Sequence, residues 1–396
     1  MRLLHLELRD FRNHHAARTP LDGESALLLG ENGSGKTNWI EAAVLLSIGR
    51  SFRGSRDRDL VRRGAERFDV RGSVQDHSGI RAEITARGSA QGSRDVRVDG
   101  GALPRLAELL GRFPTVHFSV EDVAQLNGSP AGRRRFLDVA LCQLEPAYVG
   151  YLRDYQGAVR QRNRLLAEER GGRDHGTELS VWEEILARSG VELDVRRGHL
   201  TRQVDGVVRE LAGALGLGVE PEIGYPAGEI GSAGPEAVER RAERLEAARP
   251  RDRHLGWTSE GPHRATVLCR MAGRDLTDGA SRGMARLYSI LLRIALGRVV
   301  EERLNEAPVL FLDDPESELD PRWIGPLLRL VPESTQTVVT ACRPLSDAPA
   351  RFRHLNMDGL KVPSEPLVSL EGEPSGSSDF GPADPAPASH PVEATA

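Results

Sequence analysis

The sequence is poor in several residue types on which whole classes of protein depend. It has three cysteines among 396 residues, Cys142, Cys269 and Cys342, which are far apart and form no C-x-x-C pair. This argues against a disulfide framework or a zinc ribbon and fits a reducing cytosol. Aromatic residues make up only 5% of the chain, so no ladder of rings for stacking single-stranded nucleic acid is visible.

Long hydrophobic runs are also missing. No apolar stretch approaches the roughly 18–20 residues that span a bilayer, and the first residues do not have the pattern of a signal peptide. We therefore expect a soluble cytoplasmic protein without a membrane partner, associated with the nucleoid if it binds DNA. The length allows one large domain or two smaller ones.

Lysine is nearly absent, since Lys36 and Lys361 are the only two and all other basic residues are arginines. The net charge of −5 is unevenly distributed: residues 364–396 hold six acidic residues and no Lys or Arg, so the remainder is close to neutral. A nucleic-acid surface must then come from local clusters of arginine. The acidic segment is rich in Pro, Gly, Ser and Ala, which predicts disorder.

The sequence does contain a phosphate-binding motif. The stretch G-E-N-G-S-G-K-T, residues 30–37, follows the apolar run 26–29 and opens a segment with helical spacing, as a P-loop requires. Its glycines let backbone N–H groups approach phosphates, and the helix N-terminus adds its positive dipole end. Lys36 is predicted to reach the β- and γ-phosphates of ATP, and Thr37 to bind Mg²⁺. The alternative is a glycine-rich turn that binds no ligand.

A second motif, P-V-L-F-L-D-D-P-E-S-E-L-D at 308–320, places two carboxylates at the end of an apolar strand. Ligand sites of open α/β sheets lie at such strand ends. Asp313 is predicted to be the carboxylate on the Mg²⁺ side, acting through water, and Asp314 to orient or deprotonate the attacking water. Taken alone, the pair fits a strand cap or the start of a turn equally well.

A third motif, A-S-R-G at 280–283, stands directly before a segment with helical spacing. Ser281, Gly283 and a helix N-terminus can together bind an anion, although a plain serine N-cap explains the same residues. The order of P-loop, Ser-x-Gly before a helix, Asp-Asp and Ser-x-Leu-Asp is that of ABC-type ATPases. In such enzymes the Ser-x-Gly element completes the site of a second subunit, so that ATP joins two protomers.

The chain resembles the RecF family of bacterial DNA-repair ATPases over nearly all of residues 1–363. The resemblance rests on L-R-D-F-R-N-H (8–14), G-E-N-G-S-G-K-T-N (30–38), G-R-S-F-R (49–53), G-S-P-A-G-R-R-R-F-L-D (128–138), G-P-H-R (261–264), A-S-R-G (280–283) and L-D-D-P-E-S-E-L-D (312–320). It implies an α/β fold, in which a P-loop ATPase lobe with a mixed sheet, like the head of SMC-type proteins, carries an inserted, mainly helical second lobe. We expect the ATPase lobe to comprise residues 1–127 and 251–363, the helical lobe residues 128–250, and the disordered tail residues 364–396.

The resemblance also implies a function and partners. The family dimerises with ATP, binds double-stranded DNA near single-strand gaps, works with RecR and RecO and helps to place RecA; single-stranded DNA is a further candidate. It hydrolyses ATP slowly with Mg²⁺ and is not a nuclease. The residues expected at the nucleotide are Gly30, Glu31, Asn32, Gly33, Ser34, Gly35, Lys36, Thr37, Asn38, Arg12, Asn13, Ser281, Gly283 and Asp320. Those expected to act in catalysis are Lys36, Asp313, Asp314 and Ser281, with Thr37 and Asp313 at the metal.

The chain departs from the family pattern in the third motif, where Arg282 replaces a glutamine and Met284 and Ala285 replace polar residues. Slow hydrolysis is compatible with these changes, and we expect ATP binding to be kept. The resemblance further suggests that Thr340, after a predicted strand, lies near the nucleotide.

Three clusters of arginine are candidates for contact with DNA phosphates, which requires no base readout. They are Arg53, Arg56, Arg58, Arg62 and Arg63, then Arg133, Arg134 and Arg135, and finally Arg160, Arg162 and Arg164. The alternative is that each cluster lies on a solvated face and pairs with nearby acids.

Two other functions fit parts of the pattern. The ATPase subunit of a membrane transporter usually has L-S-G-G-Q and a histidine after the last strand, whereas this chain has A-S-R-G and Thr340-Ala341-Cys342. An ATP-dependent nuclease needs an acidic metal cluster besides Asp313 and Asp314, and none is visible in the sequence.

Hydrophobic periodicity gives a coarse map of secondary structure. It predicts strands at 1–14, 69–74, 80–86, 265–271 and 309–312, a hairpin turn at 96–101 and a last strand at 337–340. It predicts helical character from Leu103 onward, strong helices from 133 to 215 with a break at Gly171-Gly172, and further helices at 236–248 and 282–303, the last one amphipathic.

Overall fold

The computed structural model describes residues 1–169, 175–226, 233–277, 280–317, 319–345 and 347–360. The strands are β1 (Arg2–Phe11), β2 (His14–Pro20), β3 (Ala26–Leu29), β4 (Arg67–Gln75), β5 (Arg81–Ser89), β6 (Arg94–Val98), β7 (Gly101–Ala102), β8 (Thr115–Phe118), β9 (Pro221–Gly224), β10 (Leu268–Met271), β11 (Arg274–Asp275), β12 (Val309–Leu312), β13 (Thr337–Ala341) and β14 (Arg353–Asn356). The helices are α1 (Lys36–Ile48), α2 (Asp57–Leu60), α3 (Val120–Gly128), α4 (Pro130–Leu144), α5 (Pro146–Glu169), α6 (Gly176–Ala214), α7 (Pro235–Ala247), α8 (Arg249–Leu255), α9 (Arg282–Leu304) and α10 (Ile324–Leu330).

The nucleotide motifs are carried by a parallel sheet with the strand order β14-β3-β13-β12-β8. Strands β3, β12 and β13 are short, mainly apolar and buried, as expected for parallel strands covered on both faces. Alternate residues of β12 enter different cores, because successive side chains of a strand point to opposite faces. Val309 and Phe311 pack into one core, and Leu310 and Leu312 into the other.

The first core joins this sheet to an antiparallel sheet with the strand order β2-β1-β4-β5-β6-β7. Helix α1 lies in this core and contacts β1, β4 and β5 of the antiparallel sheet and β8 of the parallel one. Residues 39–48 of α1 are all buried. The helix that follows the P-loop is therefore held on several sides, which fixes the position of the loop at its N-terminus.

The second core lies on the other face of the parallel sheet, where α9 packs against α6 and β8. The sequence predicts an amphipathic helix here, but residues 285–297 are all buried. That prediction is wrong for the middle of α9, because the sheet covers one side of the helix and other helices cover the rest. The N-terminal end of α9 is different, since Ser281 and Arg282 are exposed.

Between β8 and β10 the chain is mostly helical, and we call residues 120–255 the helical segment. Its long helices α5 and α6 pack along each other, and α6 also contacts α7 and α9. Buried ion pairs join its parts: the fully buried Arg162 guanidinium of α5 donates to Asp252 of α8 at 2.6 Å and to Glu183 of α6 at 3.1 Å. Such pairs are tolerated in a protein interior only when the charges are matched and hydrogen-bonded.

Most of the predicted elements are confirmed. Helices α4, α5 and α6 occupy the helical run predicted from 133 to 215, and β4, β5, α7 and β12 lie close to their predicted places. The hairpin turn between β6 and β7 is formed by Asp99 and Gly100, which have φ angles of +50° and +79°, as the favoured two-residue hairpin turn requires.

Other predictions are wrong. The predicted first strand is a hairpin of β1 and β2, the strand predicted to be the last is followed by β14, and the region after Leu103 contains the strand β8 before the helices begin. Gly171, Gly172 and Glu318 lie outside the described residues, as does the predicted disordered tail, residues 364–396. The boundaries of the two lobes stay predictions. No helix within the described ranges is long and apolar enough to cross a membrane.

Candidate nucleotide-binding site

Three neighbouring strands bring the nucleotide motifs to one edge of the parallel sheet. Strand β3 leads into the P-loop and β12 into Asp313 and Asp314, while β13 lies between them and carries Thr340 near its end. The C-terminal ends of parallel strands meet at the same edge, which is where open α/β sheets bind ligands. Residues that are some 280 positions apart in the sequence therefore become neighbours.

The P-loop has a backbone that only glycine adopts easily. Gly33 and Gly35 have φ angles of +85° and +108°, in the region that L side chains avoid. A Cβ on Gly35 would lie 2.5 Å from Nε2 of His14, and one on Gly30 would lie 2.6 Å from Oγ of Ser34. A Cβ on Gly33 would meet no protein atom within 4 Å, so the loop is open to a ligand at that point.

Lys36 is the first residue of α1, and its side chain folds back over the loop. Its ammonium group donates hydrogen bonds to the carbonyl oxygens of Gly30 at 2.5 Å and Glu31 at 2.9 Å. Sγ of Cys342, just after β13, lies 3.7 Å from the same nitrogen. Lys36 is 7% exposed and has no carboxylate partner among the described residues. A buried lysine held only by dipoles is suited to exchange them for the charge of a phosphate.

Asn13 and Asn38 support the loop from the side. The side-chain amide of Asn13 donates to the carbonyl of Gly33 at 3.1 Å, and that of Asn38 donates to Oδ1 of Asn13 at 2.8 Å. Ser34 has a buried hydroxyl without a hydrogen-bond partner among the described residues, whereas Glu31 and Asn32 are exposed at the tip. The structure thus places the predicted loop residues and Asn13 together.

Arg12 has a different environment from the one that the resemblance suggests. Its guanidinium donates to both carboxylate oxygens of the fully buried Glu41 at 2.8 Å, and to Oγ of Ser55 at 2.5 Å. It also donates to the carbonyl of Asp59 at 2.9 Å. These contacts tie the β1–β2 turn to α1 and to the loop before α2, so Arg12 supports the P-loop helix. A direct contact with nucleotide stays a prediction.

Asp313 is buried beneath the P-loop among hydroxyl groups. Thr340 donates its hydroxyl to Oδ1 of Asp313 at 2.7 Å, and its oxygen accepts from the backbone N–H of Asp314 at 2.9 Å. Burial raises the pKa of the Asp313 carboxyl, the neighbouring Asp314 and Glu121 carboxylates add to the rise, and hydrogen bonds from Thr340 and Thr37 oppose it. The groups with most influence on Asp313 thus include no basic side chain.

These oxygens fit Mg²⁺, which prefers hydroxyl, carboxylate and water ligands. The Thr37 side chain lies near enough to the Asp313 carboxyl to lower its pKa, so both can face one cation. A buried carboxylate whose ionised form is opposed by burial and by two other carboxylates gains most from a bound cation. The residues of this edge therefore fit a complex of a triphosphate with Mg²⁺.

Asp314 has a strained backbone, with a φ angle of +47°. Its carbonyl accepts a hydrogen bond at 2.5 Å from the guanidinium of Arg286 in α9, which is 1% exposed. Non-glycine residues in this conformation cost energy and occur preferentially at functional sites. The contact links the second turn of α9 directly to the residue predicted to act on water.

The residues of the third motif lie elsewhere. Ser281 is the N-cap of α9, and its hydroxyl accepts from the backbone N–H of Met284 at 3.2 Å. Asp320 caps the turn that follows β12 and pairs with Arg322 at 3.0 Å. Within the described chain, neither side chain has a hydrogen bond to the P-loop. Gly283 follows in the first turn of α9.

Sequence reasoning missed two residues at this edge. Glu121, in the first turn of α3, acts on the pKa of Asp313 and lies 3.3 Å from the guanidinium of Arg53. Cys342 donates from its thiol to Oδ1 of Asn32 at 3.0 Å. The available signals were weak: Glu121 is an acidic residue in the first turn of α3, next to the capping box of Ser119 and Asp122, and Cys342 follows the strand β13.

The arginine clusters divide into buried and exposed members. Arg133 is 4% exposed and pairs with Asp275, so the prediction that it contacts DNA is wrong. Arg162 is fully buried and is therefore not part of an exposed arginine cluster. Arg134 is half-buried and donates to the carbonyl of Ala265 at 2.7 Å. The exposed members are Arg53, Arg56, Arg58, Arg63, Arg135, Arg160 and Arg164. Their contact with DNA stays a prediction.

Comparison with known proteins gives a consistent picture. The family model described as the RecF/RecN/SMC N terminal domain matches residues 2–348. The DNA replication and repair protein RecF of Symbiobacterium thermophilum is 36% identical over 356 residues, which cover 89% of this chain and 94% of that protein. The RecF protein of Chlamydia caviae is 32% identical over 344 residues, which cover 86% of this chain and 92% of that protein.

Solved structures agree with this. The structure of the recombination mediator protein RecF with ATP in the RecFOR pathway has 29% identity and a TM-score of 0.79, covering 88% of this chain and 93% of that one. The Smc head bound to the C-terminal winged-helix domain of ScpA has 15% identity and a TM-score of 0.51, covering 90% of this chain and 94% of that one. The second likeness concerns the fold alone, an α/β ATPase fold of the SMC-head type.

Proposed function

Since this chain belongs to the RecF family and is thus a DNA replication and repair protein that binds ATP, we propose that it works as an ATP-gated DNA clamp in the repair of gaps. The observation that carries the proposal is the division of the ATPase motifs. Lys36, Thr37 and Asp313 lie at one edge of the parallel sheet, whereas Ser281 is exposed at the start of α9 and, among the described residues, has no hydrogen bond to the P-loop. We infer that a second copy completes the site.

In the proposed mechanism, the P-loop of one molecule binds ATP while Ser281 and Gly283 of its twin meet the γ-phosphate. Mg²⁺, when bound, would neutralise negative charge of the triphosphate. Lys36 would exchange its carbonyl partners for phosphate oxygens, and Thr37 and Asp313 would hold the cation. Asp314, fixed through its carbonyl by Arg286, orients the attacking water and accepts its proton. Asp320 of the twin joins the contact.

Slow hydrolysis separates the two copies and resets the clamp. The exposed arginines, Arg53, Arg56, Arg135, Arg160 and Arg164, are candidates for the phosphates of a duplex, with half-buried Arg134 at the edge of the set. Such contacts would give salt-dependent binding without sequence preference. Relatives named in the RecFOR pathway support RecR and RecO as partners. We propose that the clamp acts on double-stranded DNA near single-strand gaps, supports RecA loading and does not cut DNA.

The test is the oligomeric state as a function of ATP. In a background of Asp314→Asn, which is expected to slow hydrolysis, saturating ATP with Mg²⁺ should convert a monomer into a dimer by light scattering. Adding Ser281→Arg should abolish this dimer, because the new side chain occupies the space between the twin's phosphates and α9. A fluorescent ATP analogue should still bind each Ser281→Arg monomer with its affinity unchanged within about threefold.

The matched control is Ser129→Arg. Ser129 is also an exposed serine N-cap, and its hydroxyl accepts from the backbone N–H of Gly132 at the same distance of 3.2 Å. Losing such a cap costs about 1 kcal/mol of stability, so both variants should be destabilised alike, but only Ser281→Arg should lose the dimer. A chain that stays monomeric in saturating ATP, or loses its dimer in both variants, contradicts the clamp.

A further inference from the structure

The G-P-H-R stretch, residues 261–264, has no role in the proposed ATPase cycle, yet it lines a cavity of about 310 Å³ at the helical segment. The cavity lies away from the P-loop, between α5, α6, α7 and the turn at 260–265. Its walls are formed by Tyr155, Leu186, Asp194, Pro226, Ala237, Arg240, Arg241, Arg244, Leu245, Glu260, Gly261, Arg264 and Ala265. A cavity of this size lies at the lower end of the range of small-molecule sites.

The charge of the wall is positive. It holds four arginines and two carboxylates. Asp194 is occupied by Arg241 and by the hydroxyl of Tyr225, and Glu260 lies 3.3 Å from Arg244. The other two arginines are Arg240 and Arg264, and neither has a buried carboxylate partner among the described residues. Arg240 has one exposed contact, at 3.6 Å to Glu236.

Arg264 is held in place without being neutralised. Its guanidinium lies over the ring of Trp257, 4.1 Å from the ring centre, and it makes one long hydrogen bond of 3.5 Å to the carbonyl of Thr258. No acidic side chain within the described ranges pairs with it. A guanidinium has five N–H donors in a planar fork, so most of them stay available. Stacking on the ring fixes its plane, which lowers the entropy lost when it binds an anion.

Two further arginines, Arg134 and Arg197, contact the backbone of the turn that lines the cavity. The guanidinium of Arg134, in α4, donates to the carbonyl of Ala265, and burial, Arg197 and Arg264 lower its pKa. Arg197 itself donates to the carbonyl of Pro262 at 2.9 Å. The charge of Arg197 is balanced by Asp138. Among the described residues, the cavity wall thus contains more positive charge than the acids beside it balance, and this charge attracts anions.

The remaining wall is rigid and apolar. Tyr155 forms a hydrogen bond of 2.6 Å with Nδ1 of His263, and a Cβ on Gly261 would lie 2.3 Å from the Tyr155 hydroxyl. This position therefore needs glycine, whose φ here is +127°. Burial lowers the pKa of His263 to about 4, so the imidazole adds no charge at neutral pH. Leu186 and Leu245 line the cavity from within the core and are 1% and 3% exposed.

We propose that this cavity is a second ligand site, separate from the P-loop, that binds a nucleoside phosphate. The phosphate would meet the guanidinium groups of Arg240 and Arg264, which suit phosphate oxygens. The sugar or base would contact the outer face of the Arg264 guanidinium, since guanidinium planes stack on bases. The nucleoside phosphate can be a free nucleotide or a unit of a DNA strand. The site does not depend on the clamp proposed above.

The experiment uses the full chain with Lys36→Ala, so that the P-loop does not retain the probe. Calorimetry with thymidine monophosphate should show binding, whereas thymidine and inorganic phosphate should each bind at least tenfold more weakly. Arg240→Gln with Arg264→Gln should weaken the binding of thymidine monophosphate at least tenfold. Arg264→Lys should give an intermediate loss, because it keeps the charge and loses the fork.

The control is Arg202→Gln, an exposed arginine of α6 that does not line the cavity, which should bind the probe like its parent. All three arginines are exposed, so their variants should fold. Competition distinguishes the sources: displacement of the probe by a short single-stranded oligonucleotide identifies a DNA strand, and its failure to displace identifies a free nucleotide. Absence of binding at millimolar probe, equal binding of thymidine, or an unchanged affinity in the double variant overturns the proposal.

These results are independent of the clamp. With Lys36 intact, the double variant should still form the ATP-dependent dimer, because its substitutions lie outside the P-loop, Ser281 and Asp314. Loss of the dimer in Ser281→Arg and loss of the probe in the double variant are therefore separate readouts of separate sites.

Discussion

The nucleotide edge and the helical segment use charge in opposite ways. At the edge, Lys36 is surrounded by carbonyl oxygens and Asp313 by threonine hydroxyls, and neither has an ionic partner among the described residues. In the helical segment, Arg162 is enclosed by Glu183 and Asp252, and all three are buried. The first arrangement leaves each charge available to a ligand, and the second neutralises it inside the fold.

This difference shows how to interpret an arginine-rich sequence. Arg160, Arg162 and Arg164 are neighbours on one helix, yet Arg162 is fully buried and the other two are exposed. Helical spacing places Arg160 and Arg164 on one face and Arg162 on the opposite face, but it does not say which of the two faces is buried. A buried charge with an opposite charge beside it is neutralised inside the fold, whereas a buried charge with only dipoles beside it is available to a ligand.

The largest effect is expected where a buried pair is broken. Arg162→Met should lower the free energy of unfolding by about 3–5 kcal/mol, because it leaves Asp252 buried without its cation and takes one of two cations from the buried Glu183, which keeps Arg249. Arg160→Met, two residues away and exposed, should change stability by no more than about 0.5 kcal/mol. Urea denaturation of both variants measures the difference. Equal effects would contradict the division into structural and surface arginines.

An intermediate effect is expected from His263, a titratable group that the fold keeps uncharged. Its pKa is lowered from 6.5 to about 4, chiefly by burial. The unfolded chain therefore takes up a proton first as the pH falls, and stability is lost below pH 6.5 until the folded state also protonates near pH 4. Between pH 7 and pH 5 this should remove about 2 kcal/mol.

The measurement for His263 is the urea midpoint at pH 7 and at pH 5, compared with His263→Gln. The variant is expected to be less stable at pH 7, since it loses the hydrogen bond with Tyr155. Its loss of stability on acidification should nevertheless be smaller than that of the parent by about 2 kcal/mol. Parallel pH curves for the two proteins would contradict the lowered pKa.

The smallest effect on the free energy of unfolding is expected at the nucleotide edge, where a substitution should stabilise the protein. Burial raises the pKa of Asp313, so its ionised form costs stability at neutral pH in the absence of a cation. This cost decreases as the pH falls through the raised pKa and is gone below the ordinary pKa of 3.8. Asp313→Asn keeps an oxygen to accept from Thr340 and removes the charge. We expect it to stabilise the ligand-free protein by about 1 kcal/mol at pH 7.

The same variant should lose Mg²⁺-dependent ATP hydrolysis, which a phosphate-release assay measures. Asp69→Asn is a suitable control, because Asp69 pairs with Arg87 at a half-exposed position in the antiparallel sheet and should not affect hydrolysis. A destabilised Asp313→Asn protein would show that the carboxylate has a stabilising partner. Asp313 would then be a paired charge like Arg162, which contradicts the difference drawn between the two regions.

Local sequence patterns correctly predicted those parts of the fold that are formed by a continuous stretch of the chain. The apolar run 309–312 followed by Asp313 and Asp314 predicted a buried strand that ends at the ligand edge, and the structure has that strand as β12. The spacing of the P-loop predicted a turn followed by a helix, which is α1. Such predictions succeed because the glycines, the apolar run and the helix start are fixed by residues close in sequence.

Predictions that depended on distant neighbours failed more often. The apolar face of α9 was expected on one side only, but the parallel sheet and α6 bury its middle from several directions. Arg133 was expected at a DNA surface, but Asp275, 142 positions later, encloses its guanidinium. Glu121 was not recognised, because its approach to Asp313 depends on the adjacency of β8 and β12.

The sequence by itself determined the P-loop, the paired carboxylates after a strand and the family, since each is a short pattern whose geometry is set by local backbone and side-chain chemistry. The tertiary structure alone decided which arginines are buried and paired, which turn lines the cavity at Arg264, and that Ser281 does not bond to the P-loop of its own chain. The physical reason is that electrostatic pairing and burial depend on distance in space, and folding brings together residues that the sequence separates by a hundred positions or more.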